Sequence, residues 1–296
     1  MIKKNPSFKR IALMGRHDRD PIQETLIALH EFLTLRNCPV VYDHETASRL
    51  PFKINSVSIE MLAQHCDLLI VVGGDGSLLQ AAKIAVAQSL PVLGVNRGRL
   101  GFLTDIYPHE LATIEAVLNG EYQAENRFLL QCHVYREDHV IASIDAVNEI
   151  VLSPDSIAHM IEFEVMVNKR FVCDLRADGL IIATPTGSTA YALSGGGPIV
   201  EPSLNAIVLV PMFPHTLTNR PLVIDANAHL TIHITSHNDI IPFISGDGQK
   251  CMSIERSDRL ILQKHASPLK LIHPQTYDYF ETLRSKLNWQ SRHKNC

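Results

Sequence analysis

Apolar positions along the chain follow two patterns, and the change between them falls near residue 121. In the first part, short apolar runs alternate with longer stretches of helical period. Arg10 to Gly15 (RIALMG) reads as a buried strand. Asp20-Pro21 supplies a helix N-cap with proline at the first helical position. Behind it Ile22, Leu26, Leu29 and Leu33 recur on one face, so the spacing predicts an amphipathic helix over 21–36. Val40 to Tyr42 is a second short strand. Asp67 to Val72 (DLLIVV) ends in an unbroken apolar run that stops at Gly73, as a parallel strand buried on both faces does. A helix over Ser77 to Gln88, a strand over Pro91 to Val95 and a helix over 108–118 follow. Strands alternating with helices of this length predict a parallel sheet covered on both faces.

From Tyr122 to about Leu271 the runs become short and alternating: Gln131 to Tyr135, Val147 to Leu152, Glu162 to Val167, Leu180 to Ala183, Ile207 to Val210, His229 to Ile234 and Arg259 to Leu262. No long helical pattern interrupts them, so this part is predicted to be mainly β. Helical period returns from Gln275 to Trp289 through Tyr279, Phe280, Leu283 and Leu287. The expected division is an α/β domain over 1–121, an all-β domain over 122–272, and a C-terminal helix over 273–296 that packs back on the first domain.

Composition narrows the possibilities. Of 15 glycines, six (73, 74, 76, 94, 98, 101) fall in one window and five (179, 187, 195, 196, 197) in another, which marks two loops that need backbone freedom or close ligand approach. No uninterrupted apolar run approaches the ~18–20 residues of a membrane helix, and no signal-type apolar stretch follows the basic N-terminus. The net charge is −4 and Lys and Arg are dispersed, which gives nucleic-acid binding little support. Six cysteines lie far apart without a CxxC, as expected of reduced thiols in a cytoplasmic protein.

Gly73-Gly74-Asp75-Gly76-Ser77 joins the end of a strand to the start of a helix, where backbone amides can face an anion. No Gly-Lys-Ser/Thr follows, so it is not a Walker loop, and Leu79 stands where the dinucleotide fingerprint needs its third glycine. An aspartate among phosphate-holding glycines points to accepting a proton or binding a hydroxyl or metal; the alternative is a helix cap. Asp178 to Pro198 (DGLIIATPTGSTAYALSGGGP) runs from a buried strand into a segment dense in Thr, Ser and Gly. Its hydroxyls and amides suit phosphate and ribose, against a plain surface loop as the alternative. Asn148-Glu149 is a polar pair inside an apolar run. His229, His233 and His237 have strand period, ~13 Å apart at 3.3 Å per residue, too far to share an ion, so a metal role is not expected.

GGDGS after an apolar strand, VNRGRLGFLTD (Val95 to Asp105), NE at 148–149, DGLIIATPTGSTAYALSGGGPIV, PHTLTNRPLVI (Pro214 to Ile224) and Asp247-Gly248-Gln249 together resemble the bacterial NAD kinases, in the same order and over nearly the whole chain. GGDG alone is shared with lipid kinases and phosphofructokinases; the Thr- and Gly-rich segment is far more specific. The resemblance implies a Rossmann-like parallel α/β domain, an all-β sandwich-like domain and a returning C-terminal helix. It implies transfer of the γ-phosphoryl of ATP to the adenosine ribose 2′-hydroxyl of NAD, giving NADP and ADP.

By the same resemblance Asp75 is the general base. Gly73, Gly74, Gly76 and Ser77 form the phosphate loop. Asp75, Gly76, Asn148, Glu149, His159, Arg176, Asp178, Thr189, Ala190, Tyr191, Ala192, Leu193, Ser194 and Gln249 bind NAD, while Arg99 lies at a variable point of its motif. Mg²⁺ is expected on the ATP phosphates, with no protein metal site. A homo-oligomer, dimer or tetramer, is also implied. The competing readings are a lipid or sphingoid-base kinase, in which an apolar groove or membrane-facing patch is expected, and a non-catalytic NAD(P)-binding sensor, in which loss of the GGDG aspartate is expected.

Overall fold

The computed structural model describes residues 5–15, 20–98, 101–154, 159–235 and 240–289. The chain first runs β1 (Ile11–Met14), α1 (Asp20–Leu35), β2 (Val40–Asp43), α2 (His44–Ser48), β3 (Ser56–Val57), α3 (Leu62–His65), β4 (Leu68–Gly73), α4 (Asp75–Ala87), β5 (Val92–Asn96), α5 (Leu111–Leu118) and β6 (Tyr122–Arg127). It continues as β7 (Leu130–Arg136), β8 (His139–Ala146), β9 (Glu149–Pro154), β10 (Ile161–Val167), β11 (Arg170–Ala177), β12 (Gly179–Ala183), α6 (Tyr191–Ser194) and β13 (Ala206–Met212). Then come β14 (Leu222–Asp225), β15 (Leu230–Ile234), β16 (Pro242–Gly246), β17 (Gln249–Ser253), β18 (Arg259–Lys264), β19 (Leu269–Pro274) and α7 (Tyr279–Leu287). One compact unit takes in the chain up to Asn126 and again from Leu269; the other is Arg127–Pro268.

The first unit holds a sheet in the order β3-β2-β1-β4-β5-β19-β6, parallel from β3 through to β19. Ile11, Leu13, Ile70, Val72, Leu93 and Val95 share one face, and the predicted apolar stripe of α1 covers it together with Ile114 and Val117 of α5. Alternate residues Ala12, Met14, Leu69 and Val71 are equally buried, as are Ala81, Ala82 and Ala85 of α4. Burial on both faces is why β4 lacks a polar–apolar alternation. The C-terminal helix belongs to this unit: Tyr279 and Lys286 of α7 lie against the Phe102 ring.

The second unit is two antiparallel six-stranded sheets, β11-β10-β15-β18-β7-β8 and β14-β13-β12-β9-β16-β17. Leu130, Cys132, Phe163, Val165, Ile232 and Leu262 of one share a core with Ile150, Leu152, Leu180, Ile182, Leu209 and Ile244 of the other, the sandwich arrangement. The second sheet buries its outer face as well. Val151, Ile181, Ala183, Val208 and Val210 pack there with Ala192 and Val200, so the Thr- and Gly-rich segment lies on that face.

Two boundaries differ from expectation. β6 and β19 join the parallel sheet, which moves the divisions from 121/122 and 272/273 to 126/127 and 268/269. A β pattern does not tell which sheet a strand enters, and β19 slots beside β5 with Leu269, Leu271 and Ile272 buried. The strand expected from Val147 starts at Glu149, because the Val147 and Asn148 amides are taken by the Asp247 carboxylate instead of a neighbouring strand.

The burial contrast yields a stability test. Phe163 is fully buried between the sheets and Phe171 is 59% exposed on an edge strand. Phe163→Ala is expected to lower the unfolding free energy by about 3–5 kcal/mol, and Phe171→Ala to change it by no more than about 0.5 kcal/mol. Urea titration of both variants checks this; equal losses contradict the assigned core.

Candidate functional site

In the first unit the parallel strand order turns back between β1 and β4, the place where open α/β sheets bind ligands beyond their strand ends. β4 ends there and α4 begins, with Gly74 as N-cap and Asp75 as first helical residue. The Asp75 side chain does not cap the helix, which removes that alternative. Its carboxylate instead accepts the Phe102 amide at Oδ2 (2.8 Å), and the Leu103 amide (3.0 Å) and Thr104 hydroxyl (3.2 Å) at Oδ1.

The segment that supplies those donors is itself fastened. The buried Asn96 side-chain amide donates to the Thr104 carbonyl (3.1 Å) and hydroxyl oxygen (2.9 Å), and the Gly101 amide closes the turn on the Thr104 carbonyl (3.1 Å). A β-carbon at Gly101 would collide with the Asp75 carboxylate, so the close approach requires glycine. Ser77 is buried in the first turn of α4, and its hydroxyl has no hydrogen-bond partner among the described residues. Arg99 lies outside the described residues, as does His237.

In the second unit the Asp247 carboxylate, in the β16–β17 turn, accepts the amides of Val147 (3.0 Å), Asn148 (2.8 Å) and Glu149 (3.4 Å). The Thr184 hydroxyl donates to the Val147 carbonyl (2.6 Å) and its amide to the Asn148 carbonyl (2.9 Å). Gly187 then passes so near the Asn148 carbonyl that a β-carbon would clash with it. Glu149 is 6% exposed, the Tyr191 amide donates to it, and its Oε2 has no hydrogen-bond partner among the described residues. Burial, reinforced by the Asp247 charge, pushes its carboxyl up to about 7.

The hydroxyls expected to face a ligand divide in two. Those of Thr184, Thr186 and Ser188 are buried, and Thr184 and Ser188 bond the loop's own backbone: Thr184 accepts the Gly187 amide (3.1 Å), and Ser188 donates to the Pro185 carbonyl (2.6 Å) and accepts the Val200 amide (2.9 Å). They shape the loop. Ser194 and Tyr191 are exposed, Thr189, Ala190 and Leu193 half-buried, while Ala192 is wholly buried against the second sheet. Tyr191, Ser194, Gly195 and Gly196 line a groove of about 410 Å³ with Phe213 and Arg220. Asp178 is half-buried, its amide on the Met212 carbonyl. His159, Arg176 and Gln249 are exposed, and the Arg176 guanidinium lies 3.6 Å from Glu162. No role was assigned from sequence to Asp247 or to Phe102–Thr104; only their presence in DGQ and in the GFLT run signalled them.

A buried carboxyl raised to about 7 gives the native state more bound protons than the unfolded chain between about pH 4.5 and 7. The stability it contributes is complete below that window and lost as pH rises through 7, by roughly 3 kcal/mol. Glu149→Gln is expected to remove this loss, so its advantage over wild type grows from pH 5 to pH 8. Urea midpoints across that range measure it; a constant difference contradicts the assignment.

The family model described as ATP-NAD kinase N-terminal domain matches residues 11–122, and that described as ATP-NAD kinase C-terminal domain matches 147–274. The NAD kinase of Coxiella burnetii is 53% identical over 292 residues, 98% of each chain. That of Chromohalobacter salexigens is 50% identical over 287 residues, 96% of this chain and 98% of its own. In fold, the chain is similar to yeast NADH kinase complexed with NADH, with a TM-score of 0.86 at 24% identity, covering 98% of this chain and 91% of the other. An Archaeoglobus fulgidus NAD kinase in complex with ATP gives 0.72 at 26% identity, covering 95% and 100%. Relatives half identical from end to end, with both domain models in sequence order, establish that the chain belongs to the ATP-NAD kinase family and is an enzyme that phosphorylates NAD.

Proposed function

We propose that the chain transfers the γ-phosphoryl of ATP to the adenosine ribose 2′-hydroxyl of NAD, with Asp75 as the general base. The observation that carries this reading is the Asp75 carboxylate, held at the mouth of the β4–α4 turn by three donors from Phe102–Thr104. Two of the donors occupy Oδ1 and one Oδ2, so Oδ2 keeps a lone pair for a hydroxyl. As the bond from the 2′-oxygen to phosphorus forms, the bond from phosphorus to the β,γ-bridging oxygen breaks. The hydroxyl proton passes to Oδ2 and ADP leaves. Such base assistance is worth ~10²–10⁴-fold.

The rest of the rate comes from alignment and charge neutralisation. Gly73, Gly74, Gly76 and the Ser77 hydroxyl, which has no partner among the described residues, stand where they suit the donor's phosphates. Among the described residues no group of three His, Cys, Asp or Glu side chains could hold a metal ion. Mg²⁺ in this reading arrives on ATP as part of the substrate, held by phosphates and water. Asn148 and Glu149, fixed by Asp247, take the adenosine end of NAD. His159, Arg176, Asp178, Thr189–Ser194 and Gln249 complete that pocket by family likeness.

The reading also includes a cytoplasmic location, from six widely spaced cysteines without a CxxC, and a homo-oligomer, dimer or tetramer, by family likeness. Among the described residues no helix is long and apolar enough to cross a membrane.

Asp75→Asn preserves the shape and one of the two acceptor oxygens but not the basicity. It is expected to bind NAD within about threefold of wild type and to lose ~10²–10⁴-fold in kcat. Equilibrium titration with NAD and measurement of NADP formation from NAD and Mg·ATP check this. A variant turning over at the wild-type rate overturns the base assignment.

A further inference from the structure

The donors that hold Asp75 lead directly to a second buried group that the reaction scheme does not use. The residue after Thr104 is Asp105, whose side chain is only 7% exposed. Its Oδ2 accepts from Nδ1 of His273 at 2.8 Å, and its Oδ1 has no hydrogen-bond partner among the described residues. His273 comes from β19, 168 residues further along the chain. Its ring is 1% exposed, lies flat on Tyr277 (3.9 Å between centroids, 10° between planes), and has Nε2 3.6 Å from Oε2 of Glu125 on β6. Burial alone would strip the ring of its proton, but the two carboxylates outweigh burial and raise its affinity for it.

We propose that His273 is a positioning residue for the phosphoryl transfer: its Nδ1–H pins Asp105, and through Asp105 it holds the Phe102–Thr104 donors in register with the Asp75 carboxylate. This rests on the reading of Asp75 as the base. A buried carboxylate with a single partner is stable only while that partner remains, since an uncompensated buried charge is driven toward water. Asp105 moving outward pulls on Thr104, Leu103 and Phe102, the three residues that aim Asp75. Asn96 fastens the other side of the same short turn, so the cradle is held from β5 at one side and β19 at the other. β19 thus does more than complete a sheet: it delivers the ring that anchors the catalytic turn.

Three variants test this. Glutamine at 273 places its amide nearer the Nε2 position and loses the donor to Asp105, whereas asparagine places an N–H close to Nδ1. Misaiming a reacting group by about 1 Å costs up to ~10²-fold, so His273→Gln is expected to lower kcat ~10–100-fold with KM for NAD within about threefold of wild type. His273→Asn is expected to recover kcat to within about threefold of wild type. In an Asp75→Asn background His273→Gln is expected to change the residual kcat by less than about twofold, because it acts through Asp75.

Equal losses for Gln and Asn, a kcat unchanged by Gln, or a full loss repeated in the Asp75→Asn background each overturn the proposal. Thermal melts report whether each variant folds; if His273→Gln does not, Asp105→Leu, which removes the acceptor for Nδ1–H at similar size, carries the same test, with the same expected loss and the same insensitivity in the Asp75→Asn background. Wild-type turnover by Asp75→Asn alone refutes the base reading, a result separate from any of these.

Discussion

A carboxylate that is to take a proton must be aimed without being covered. At Asp75, the base in the proposed reaction, two main-chain amides and the Thr104 hydroxyl take up three acceptor positions and leave Oδ2 room for another donor. Much of the first unit follows from that arrangement. β4 has to end where the strand order turns back, the next strand has to deliver residues 101–104 alongside, and position 101 has to lack a side chain. Backbone donors suit this task because their direction is set by the fold rather than by a rotamer, so little ordering remains for the reacting state.

The second unit uses an aspartate the other way round. Asp247 gathers the amides of Val147–Glu149, holding the chain ahead of β9 out of the sheet ladder so that Asn148 and Glu149 sit beside the glycine-rich loop. Glu149 is left buried with one oxygen unpartnered among the described residues. That arrangement costs stability at neutral pH; in the proposed function it serves to meet the polar end of the dinucleotide. The Thr184, Ser188 and Thr189 hydroxyls close the loop on its own backbone, and its exposed residues include Tyr191, Ser194, Gly195 and Gly196.

What could be read from the chain follows the strength of the local signal. The α1 stripe and the unbroken run of β4 are written in side chains and fall where expected. β8 and β11 were missed because they are edge strands with exposed outer halves, and because their hairpin turns are Glu137-Asp138 and Asn168-Lys169. Both pairs adopt positive φ without the Asn-Gly or Asp-Gly that usually announces such a turn. GGDG and NE were visible as motifs, but their meaning lay in partners 27 and 98 residues away, which no local period encodes. The place of β19 beside β5, and with it the ring of His273 beside Asp105, is of the same kind.

The central claim concerns one oxygen of one side chain, and the structure of the enzyme crystallised with NAD measures it directly. The adenosine ribose 2′-hydroxyl is expected within about 3 Å of Asp75 Oδ2, normal hydrogen-bond range, with the Phe102 and Leu103 amides still donating to that carboxylate. A 2′-hydroxyl bound by another acceptor, with Asp75 beyond about 4 Å, would contradict it.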